Sequence, residues 1–283
     1  MHARKPLLVL LCATLSWASG CAQPAACREG QVATPSAARR HPVAGHHPRA
    51  HAHNDYEHER PLLDALDHRF YSVEADVYFD GGRLSVSHLS WGAKGTLQQL
   101  YLDPLQQRVD AQGSVHGDGV PFTLWVDLKE GQRELIDALH ALLERYPMLT
   151  RIDGDAVLPG PVTVVLTGDD KGKRDFVRRF PQRRAVRDSN HYSPEDPPAD
   201  SAWRHYALSW NTYLDSSGTG ALDAEQRARL ACIVENAHAQ GRQVRLFGAP
   251  DHPEAWSVAL ELGVDFINTD KLSELDAFLE RAP

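Results

Sequence analysis

The sequence has few cysteines, no long apolar run and no excess of basic residues. Its 283 residues include four cysteines, and none forms a Cys-x-x-Cys pair or a Cys/His spacing typical of structural zinc. No apolar run reaches the about 18 residues of a membrane-spanning helix. A net charge of −8 argues against a nucleic-acid partner, because such proteins present a basic face. No G-x-G-x-x-G follows a candidate strand, which argues against a dinucleotide-binding fold.

What the chain does contain is an ordinary globular composition with an uneven charge. Hydrophobic residues make up 42% and charged residues 24%, and a chain of this length can bury a core without disulfide bonds. Residues 1–50 hold six Lys/Arg and one acidic residue, which leaves 24 basic and 37 acidic residues in 51–283 and a net charge of −13 there. Because this part repels anions, a phosphate ester would need a cation in order to bind to it.

The first 20 residues have the pattern of an export signal. Two cations in residues 1–5 precede the apolar segment 6–15 and a short segment of mostly small residues, which is the order of a secretory signal. The string Ala18-Ser19-Gly20-Cys21 is similar to a bacterial lipobox, in which Cys21 would be lipidated and become the mature N-terminus. We therefore predict a signal peptide over 1–20 and an exported protein. It would be a cell-envelope lipoprotein, held at the membrane through Cys21, or a secreted or periplasmic protein.

Residues 21–49 are predicted to be a flexible linker. They are rich in Ala, Pro, Gly, Arg and His and show no apolar period. A weak metal-binding tract of His41, His46 and His47 is the alternative interpretation. A disulfide between Cys27 and Cys232 is possible but not required. Residues 50–283 are predicted to form one domain, and the protein is expected to be a monomer.

The body of the chain alternates short β-branched segments with amphipathic ones. Leucines recur on one face of 133–146, and the pattern over 224–240 ends before Gly241, a common residue after a helix. Eight strands alternating with helices predict the α/β class, most simply a closed (β/α)8 TIM barrel, with an open doubly wound sheet as the alternative. The turn Asp80-Gly81-Gly82 predicts a hairpin inserted after the second strand. The candidate strands are Arg49–His53, Ser72–Tyr78, Phe122–Leu128, Val162–Leu166, Ala185–Arg187, Ala207–Ser209, Val244–Phe247 and Phe266–Asn268.

Acidic residues lie on the second and third candidate strands, toward the end of the barrel that carries active sites. Glu74 and Asp76 are two residues apart, so both carboxylates face the same side of their strand, and Asp127 and Lys129 repeat this spacing. Neighbouring carboxylates favour a cation, because like charges otherwise raise one pKa. Hard oxygen ligands suit Mg2+ or Ca2+, so we predict one divalent cation. Each pair alone is more often a solvated face or a surface ion pair; the joint placement indicates a site.

Two histidines belong to the same set of strand ends. His53, followed by Asn54, ends the first strand, and His88 follows the inserted hairpin strand. Histidine suits general acid–base catalysis, since its ordinary pKa lies near 6.5. Arg245 in the seventh strand could add a cation if its side chain points into the barrel.

The order of these motifs resembles the superfamily of phospholipase-C-like phosphodiesterases, which are TIM barrels and include glycerophosphodiester phosphodiesterases. The resemblance is carried by His53-Asn54, Glu74-x-Asp76, His88 and Asp127-Leu128-Lys129 in sequence. The string over 51–56, HAHNDY, is most similar to the branch of altered-inheritance-of-mitochondria proteins. Residues 263–270, GVDFINTD, are similar to the end of the glycerophosphodiesterase domain.

The resemblance implies a metal-dependent phosphoric diester hydrolase that acts on a phospholipid head group or a glycerophosphodiester. It implies an acid–base pair of His53 and His88 and a phosphate-contacting Lys129, with Asn54 and Arg245 as further candidates for substrate binding. The implied metal ligands are Glu74, Asp76 and Asp127.

The chain departs from the glycerophosphodiesterase pattern at two positions, and two other functions stay open. Asn54 stands where those enzymes have arginine, and Leu89 where they have aspartate. These departures leave open a non-catalytic ligand-binding lipoprotein. The pair His51-x-His53 together with Asp270 leaves open an amidohydrolase-type zinc hydrolase, although clear histidines after the fifth and sixth strands are missing.

Overall fold

The computed structural model describes residues 46–214 and 218–282. The predicted signal peptide, Cys21 and most of the predicted linker lie outside the described residues. The first strand begins at His47, so the last residues assigned to the linker belong to the folded domain. Within the described ranges, no helix is long and apolar enough to cross a membrane.

The described ranges form thirteen strands and eight α-helices, together with a 3-10 turn at Asp55–Glu57 and a π-helical segment at Gln98–Leu102. The strands are β1 His47–Ala52, β2 Phe70–Asp80, β3 Arg83–Val86, β4 Gly95–Thr96, β5 Phe122–Leu128, β6 Arg151–Asp153, β7 Ala156–Leu158, β8 Val162–Gly168, β9 Gln182–Arg183, β10 Ala185–Ser189, β11 Trp203–Ser209, β12 Gln243–Phe247 and β13 Phe266–Thr269. The helices are α1 Leu63–Asp67, α2 Asp103–Gln112, α3 Arg133–Leu143, α4 Asp170–Arg179, α5 Trp210–Leu214, α6 Ala224–Ala239, α7 Pro253–Glu261 and α8 Leu272–Leu279.

Eight parallel strands close into a barrel. Their order is β1, β2, β5, β8, β10, β11, β12 and β13, and β1 pairs with both β2 and β13. This confirms the predicted TIM barrel and excludes the open sheet. The strands read as nearly continuous apolar runs, as in β8, because helices cover the outside of the barrel and side chains fill its inside.

One connection departs from the regular alternation of strands and helices. The segment 190–202, between β10 and β11, contains no helix. It carries Pro194, Pro197 and Pro198, which remove backbone donors and clash within a helix. The barrel therefore has helices after seven of its eight strands.

The predicted hairpin after β2 is confirmed and carries the chain back to the mouth of the barrel. β2 and β3 pair in antiparallel fashion, with Asp80 opposite Arg83. Gly81 and Gly82 both have positive φ, +54° and +86°, which a two-residue turn of this kind requires and glycine adopts without steric cost. The strand β3 then delivers His88 beside the end of β2.

A layer of large side chains closes the barrel below its mouth. Trp125 of β5 lies edge-on to Phe266 and to His205, with ring centroids 5.3 and 5.5 Å apart. Val165, Val186 and Ala207 complete this inner cluster, and a larger core lies between the strands and the helices. The polar side chains described next lie above this layer, toward the C-terminal ends of the strands.

Candidate active site

Three carboxylates meet at the C-terminal ends of two neighbouring strands. The register of β2 and β5 sets Asp76 opposite Asp127, and Glu74 lies two residues earlier on the same face. One oxygen from each of Glu74, Asp76 and Asp127 lies within 4.8 Å of the others. The structure thus brings the predicted ligands together, and we call these three residues the acidic cluster.

Two cations face the acidic cluster. Arg245 donates to Glu74 Oε2 at 2.7 Å, and Lys129 Nζ lies 2.8 Å from Asp76 Oδ2 and 3.1 Å from Asp127 Oδ2. Three carboxylates are therefore opposed by two permanent positive charges. One negative charge is left over in a mostly buried pocket.

The pKa values of the carboxyl groups reflect this imbalance. Burial and the nearby Glu74 carboxylate raise the pKa of Asp127 to about 6, against the lowering effect of Lys129. Burial and Glu74 also raise the pKa of Asp76. Burial alone would raise the pKa of Glu74, but the charge of Arg245 and the nearby imidazoles of His51 and His53 hold it well below its ordinary value. Glu74 is thus ionised, whereas Asp76 and Asp127 keep their protons to a higher pH than an ordinary aspartate does.

His53 lies beside Glu74 and is oriented by a residue from the last strand. Its Nδ1 is 2.9 Å from Asp270 Oδ1, and its Nε2 is 3.6 Å from Glu74 Oε2. Burial lowers the pKa of His53, but the hydrogen bond to Asp270 and the charge of Glu74 outweigh it, so the pKa is raised. The sequence analysis named Asp270 in the string GVDFINTD and under the zinc alternative, but not as the partner of His53. The contact between His53 and Asp270 follows from closure of the barrel, which sets β13 beside β1.

His88 contacts a different member of the acidic cluster, Asp76. Its Nδ1 lies 3.5 Å from Asp76 Oδ2 and 3.1 Å from the hydroxyl oxygen of Tyr56, and 59% of its side chain is exposed. Tyr56 itself donates to Asp76 Oδ2 at 2.7 Å. The two predicted acid–base residues therefore lie next to the same cluster and contact different members of it.

The three residues predicted to bind phosphate differ in accessibility. Lys129 keeps 24% of its side chain exposed at the mouth. Asn54 adopts a left-handed backbone conformation, φ 46°, and its side-chain amide lies between His53 Nδ1 at 3.1 Å and the Tyr56 hydroxyl at 2.9 Å. Lys129 is thus the cation that a ligand can reach most directly.

Arg245 points into the barrel, but it is buried below the mouth. Its Nε donates to Asn268 Oδ1 at 3.1 Å, and its guanidinium lies over the Trp125 ring, 4.9 Å from the centroid. Together with its bond to Glu74, these contacts favour a role in holding that carboxylate rather than in contacting a phosphate.

His51, on which the zinc alternative depends, is buried below the mouth, with its Nε2 3.9 Å from Glu74 Oε2. It is fully buried, its Nδ1 lies 2.8 Å from Ser72 Oγ, and burial together with Arg245 lowers its pKa to about 3. Across 46–214 and 218–282, the acidic cluster is the only group of three His, Cys, Asp or Glu side chains close enough to share a metal ion. The geometry therefore does not support a histidine-based zinc centre.

Comparisons with known proteins relate this chain to one family. Residues 46–186 match the family model of the AIM6-like phosphodiesterase domain. The chain is 30% identical to altered inheritance of mitochondria protein 6 of Lachancea thermotolerans, over 81% of this chain and 65% of that protein. The identity to its counterpart in Eremothecium gossypii is 28%, over 89% and 74%. In Saccharomyces cerevisiae S288c it is 27%, over 78% and 68%. No solved structure matches the chain.

The matched segment contains most of the candidate site. It begins immediately before β1 and includes His53, the acidic cluster, His88 and Lys129. The chain spans just under two thirds of the length of the Lachancea relative. By this match and by the order of its motifs, the chain belongs to the family of AIM6-like phosphodiesterase-domain proteins, within the phospholipase-C-like phosphodiesterase superfamily.

Proposed function

We propose that this protein is a metal-dependent phosphoric diester hydrolase. The family supports a phosphodiesterase-type function. The observation that carries the finer proposal is the approach of two imidazoles, His53 and His88, to one acidic cluster that also holds Lys129. A phosphodiester needs a proton removed from its nucleophile, a proton given to its leaving oxygen, and positive charge near its phosphoryl oxygens.

The acidic cluster fits a divalent cation. Its three oxygens lie within 4.8 Å of one another, and Mg2+ or Ca2+ binds carboxylate oxygens at about 2.0–2.6 Å. The raised pKa values of Asp76 and Asp127 agree with an excess of negative charge that a further cation would relieve. Bound there, such an ion would polarise a phosphoryl oxygen and offset its charge.

The two histidines would divide the proton transfers. His53 directs its Nδ1 to Asp270, which leaves Nε2 on the side of the acidic cluster. His88 directs its Nδ1 to Tyr56 and Asp76, which leaves its Nε2 for proton transfer with a substrate. One imidazole would remove the proton of the attacking hydroxyl or water, and the other would protonate the leaving oxygen. Lys129 would donate to a phosphoryl oxygen from the rim.

An exposed apolar loop beside His88 favours a phospholipid over a water-soluble diester. Leu89 and Trp91 are 47% and 72% exposed, and residues 89–93 carry no charge. Tryptophan and leucine at such a rim can enter the interfacial region of a bilayer without removing a charge from water. Since 51–283 carries a net charge of −13, a zwitterionic surface is a better match than an anionic one.

We also propose that the protein is exported, anchored through a lipid on Cys21, and monomeric. The support is the N-terminal pattern, in which two cations, an apolar segment and the string Ala18-Ser19-Gly20-Cys21 follow one another. Cell fractionation of the full chain and of Cys21→Ala tests this. Loss of the variant from the membrane fraction is expected, and a cytosolic wild-type protein would contradict the proposal.

The catalytic proposal is tested by hydrolysis of bis-p-nitrophenyl phosphate and of phospholipid and glycerophosphodiester panels with Mg2+ or Ca2+. His53→Ala and His88→Ala should each lower turnover by about 10²–10⁴-fold, the range of general acid–base catalysis. Chelation should abolish turnover, whereas the exposed His191→Ala should behave as wild type. Activity insensitive to His53→Ala and to chelator would exclude this mechanism. Ligand binding without turnover across the panels would favour the ligand-binding lipoprotein.

A further inference from the structure

Tyr56 holds a central place in the site that its family motif does not explain. Its hydroxyl oxygen lies 2.7 Å from Asp76 Oδ2, 2.9 Å from Asn54 Oδ1 and 3.1 Å from His88 Nδ1. The residue is fully buried, in the short 3-10 turn Asp55–Glu57 that follows His53. Packing thus fixes the hydroxyl at a point between one metal-ligand candidate and one acid–base candidate.

A proton count determines how these contacts are made. A phenol has one hydrogen to donate and two lone pairs with which to accept. The carboxylate of Asp76 is the nearest neighbour, and a charged acceptor makes the stronger hydrogen bond. With the phenol hydrogen given to Asp76, none is left for Asn54 Oδ1, and the contact to His88 is a hydrogen bond only if His88 Nδ1 carries the hydrogen. That tautomer leaves Nε2 of His88 free to exchange a proton with a substrate.

His88 depends on this contact because little else holds its ring. The side chain is mostly exposed, on the loop after β3, and within the described residues its other polar contact is Asp76 Oδ2 at 3.5 Å. We propose that Tyr56 is a positioning residue, which fixes the tautomer and orientation of His88 and links it to Asp76. Asp270 holds His53 in the same way from the opposite end of the chain. This inference rests on the proposed phosphodiesterase function.

Tyr56→Phe tests the proposal, with Tyr78→Phe as the matched control. The Tyr78 hydroxyl reaches the main-chain oxygen of His88, at 3.4 Å, rather than the ring. Tyr56→Phe should lower kcat by about 10- to 100-fold with little change in KM, the size usual for partners that orient a site residue. Tyr78→Phe should leave both constants unchanged. An equal loss in both variants, or none in Tyr56→Phe, would overturn the proposal.

Two further measurements separate positioning from a general structural role. Long-range ¹H–¹⁵N spectra of the metal-free full chain should show the Nδ1–H tautomer of His88 in wild type and in Tyr78→Phe, and a mixture of tautomers in Tyr56→Phe. In a His88→Ala background, Tyr56→Phe should cost no further activity. Unchanged tautomers, or full additivity of the two losses, would exclude positioning of His88. If wild type hydrolyses no phosphodiester, the proposed function fails, while the spectra still decide the role of Tyr56.

Discussion

The barrel contains two buried groups of oppositely charged side chains. They differ in whether the positive charges equal the negative ones in number. In the acidic cluster, three carboxylates share Arg245 and Lys129. Further round the barrel, Lys173 of α4 is completely buried and binds Asp188 Oδ1 at 2.7 Å and Asn190 Oδ1 at 2.6 Å. There, one buried cation meets one buried carboxylate, and the partly exposed Asp170 lies 3.9 Å from the same Nζ.

The difference separates a structural pair from a binding site. A buried charge is tolerated when it is paired and hydrogen-bonded, which describes Lys173 and Asp188. The acidic cluster keeps one charge unpaired and stays open at the mouth through Lys129. An uncompensated charge destabilises the fold, so its presence is explained if a ligand supplies the missing cation. Asp55 adds a third case to the comparison, because within the described residues its hydrogen bonds come from a main-chain N–H and a tyrosine O–H and not from a cation.

The balanced pair should give the largest effect on folding. Lys173→Met leaves Asp188 buried without its cation and should cost about 3–5 kcal/mol of unfolding free energy, measured by denaturant titration. Burial already raises the pKa of Asp188, against the effect of Lys173, so the loss should be smaller at low pH. Lys173→Met with Asp188→Leu should recover much of the stability. A single variant as stable as wild type would show that the pair is not structural.

The acidic cluster should show the opposite behaviour. Asp127→Asn removes a candidate ligand and a like charge together, so it should lower metal-dependent turnover by about 10²–10³-fold, as for loss of one electrostatic contributor to a site, without loss of stability. In thermal melts, Mg2+ or Ca2+ should raise the Tm of wild type and not of this variant. The exposed Asp110→Asn is the control and should retain both properties. Equal metal-induced shifts in both variants would mean that the cation binds elsewhere.

The sequence predicted the barrel because its strands are buried on both faces and stand out as apolar runs. Its first three strands also predicted the site, because residues two apart on a strand share a face whatever the rest of the fold does. The contact between His53 and Asp270 joins residues 217 positions apart and depends on closure of the barrel. Nothing local in the sequence indicates it.

Other features escaped prediction for local reasons. The helix α4, with sequence DKGKRDFVRR, has only two large apolar residues, Phe176 and Val177, too few to mark a helix in the sequence. Asp169 caps its N-terminus by accepting a hydrogen bond from Gly172 N, and Lys173 within it reaches Asp188 of β10. The small sheet of β6, β7 and β9 consists of strands of two or three residues, too short for an alternating pattern. The role of Tyr56 depends on a hydroxyl position that only the packed turn defines.

The carboxylate without a cation should make stability depend on pH. Burial raises the pKa of Asp55 to about 7, although Leu62 N at 2.5 Å and the Tyr101 hydroxyl at 2.9 Å both donate to its Oδ2. The unfolded chain ionises this group near pH 4, so this contribution to stability is lost as the pH rises from about 4 to about 7. Asp55→Asn keeps one oxygen for both donors and should remove that slope, a gain of about 4 kcal/mol at pH 8. Parallel curves of unfolding free energy against pH for the two proteins would contradict this assignment.

The smallest effect is expected at the exposed loop 89–93 beside His88, at the mouth where the acidic cluster would meet a substrate. Trp91→Ala should reduce hydrolysis of phosphatidylcholine vesicles by about 10-fold, because the loss of one large apolar contact with the bilayer weakens surface binding by somewhat more than 1 kcal/mol. Hydrolysis of soluble bis-p-nitrophenyl phosphate should not change. Leu158, 54% exposed on β7, provides the matched control, and Leu158→Ala should affect neither substrate. If Trp91→Ala slows both reactions equally, the loop shapes the site itself and the case for a lipid substrate loses its structural support.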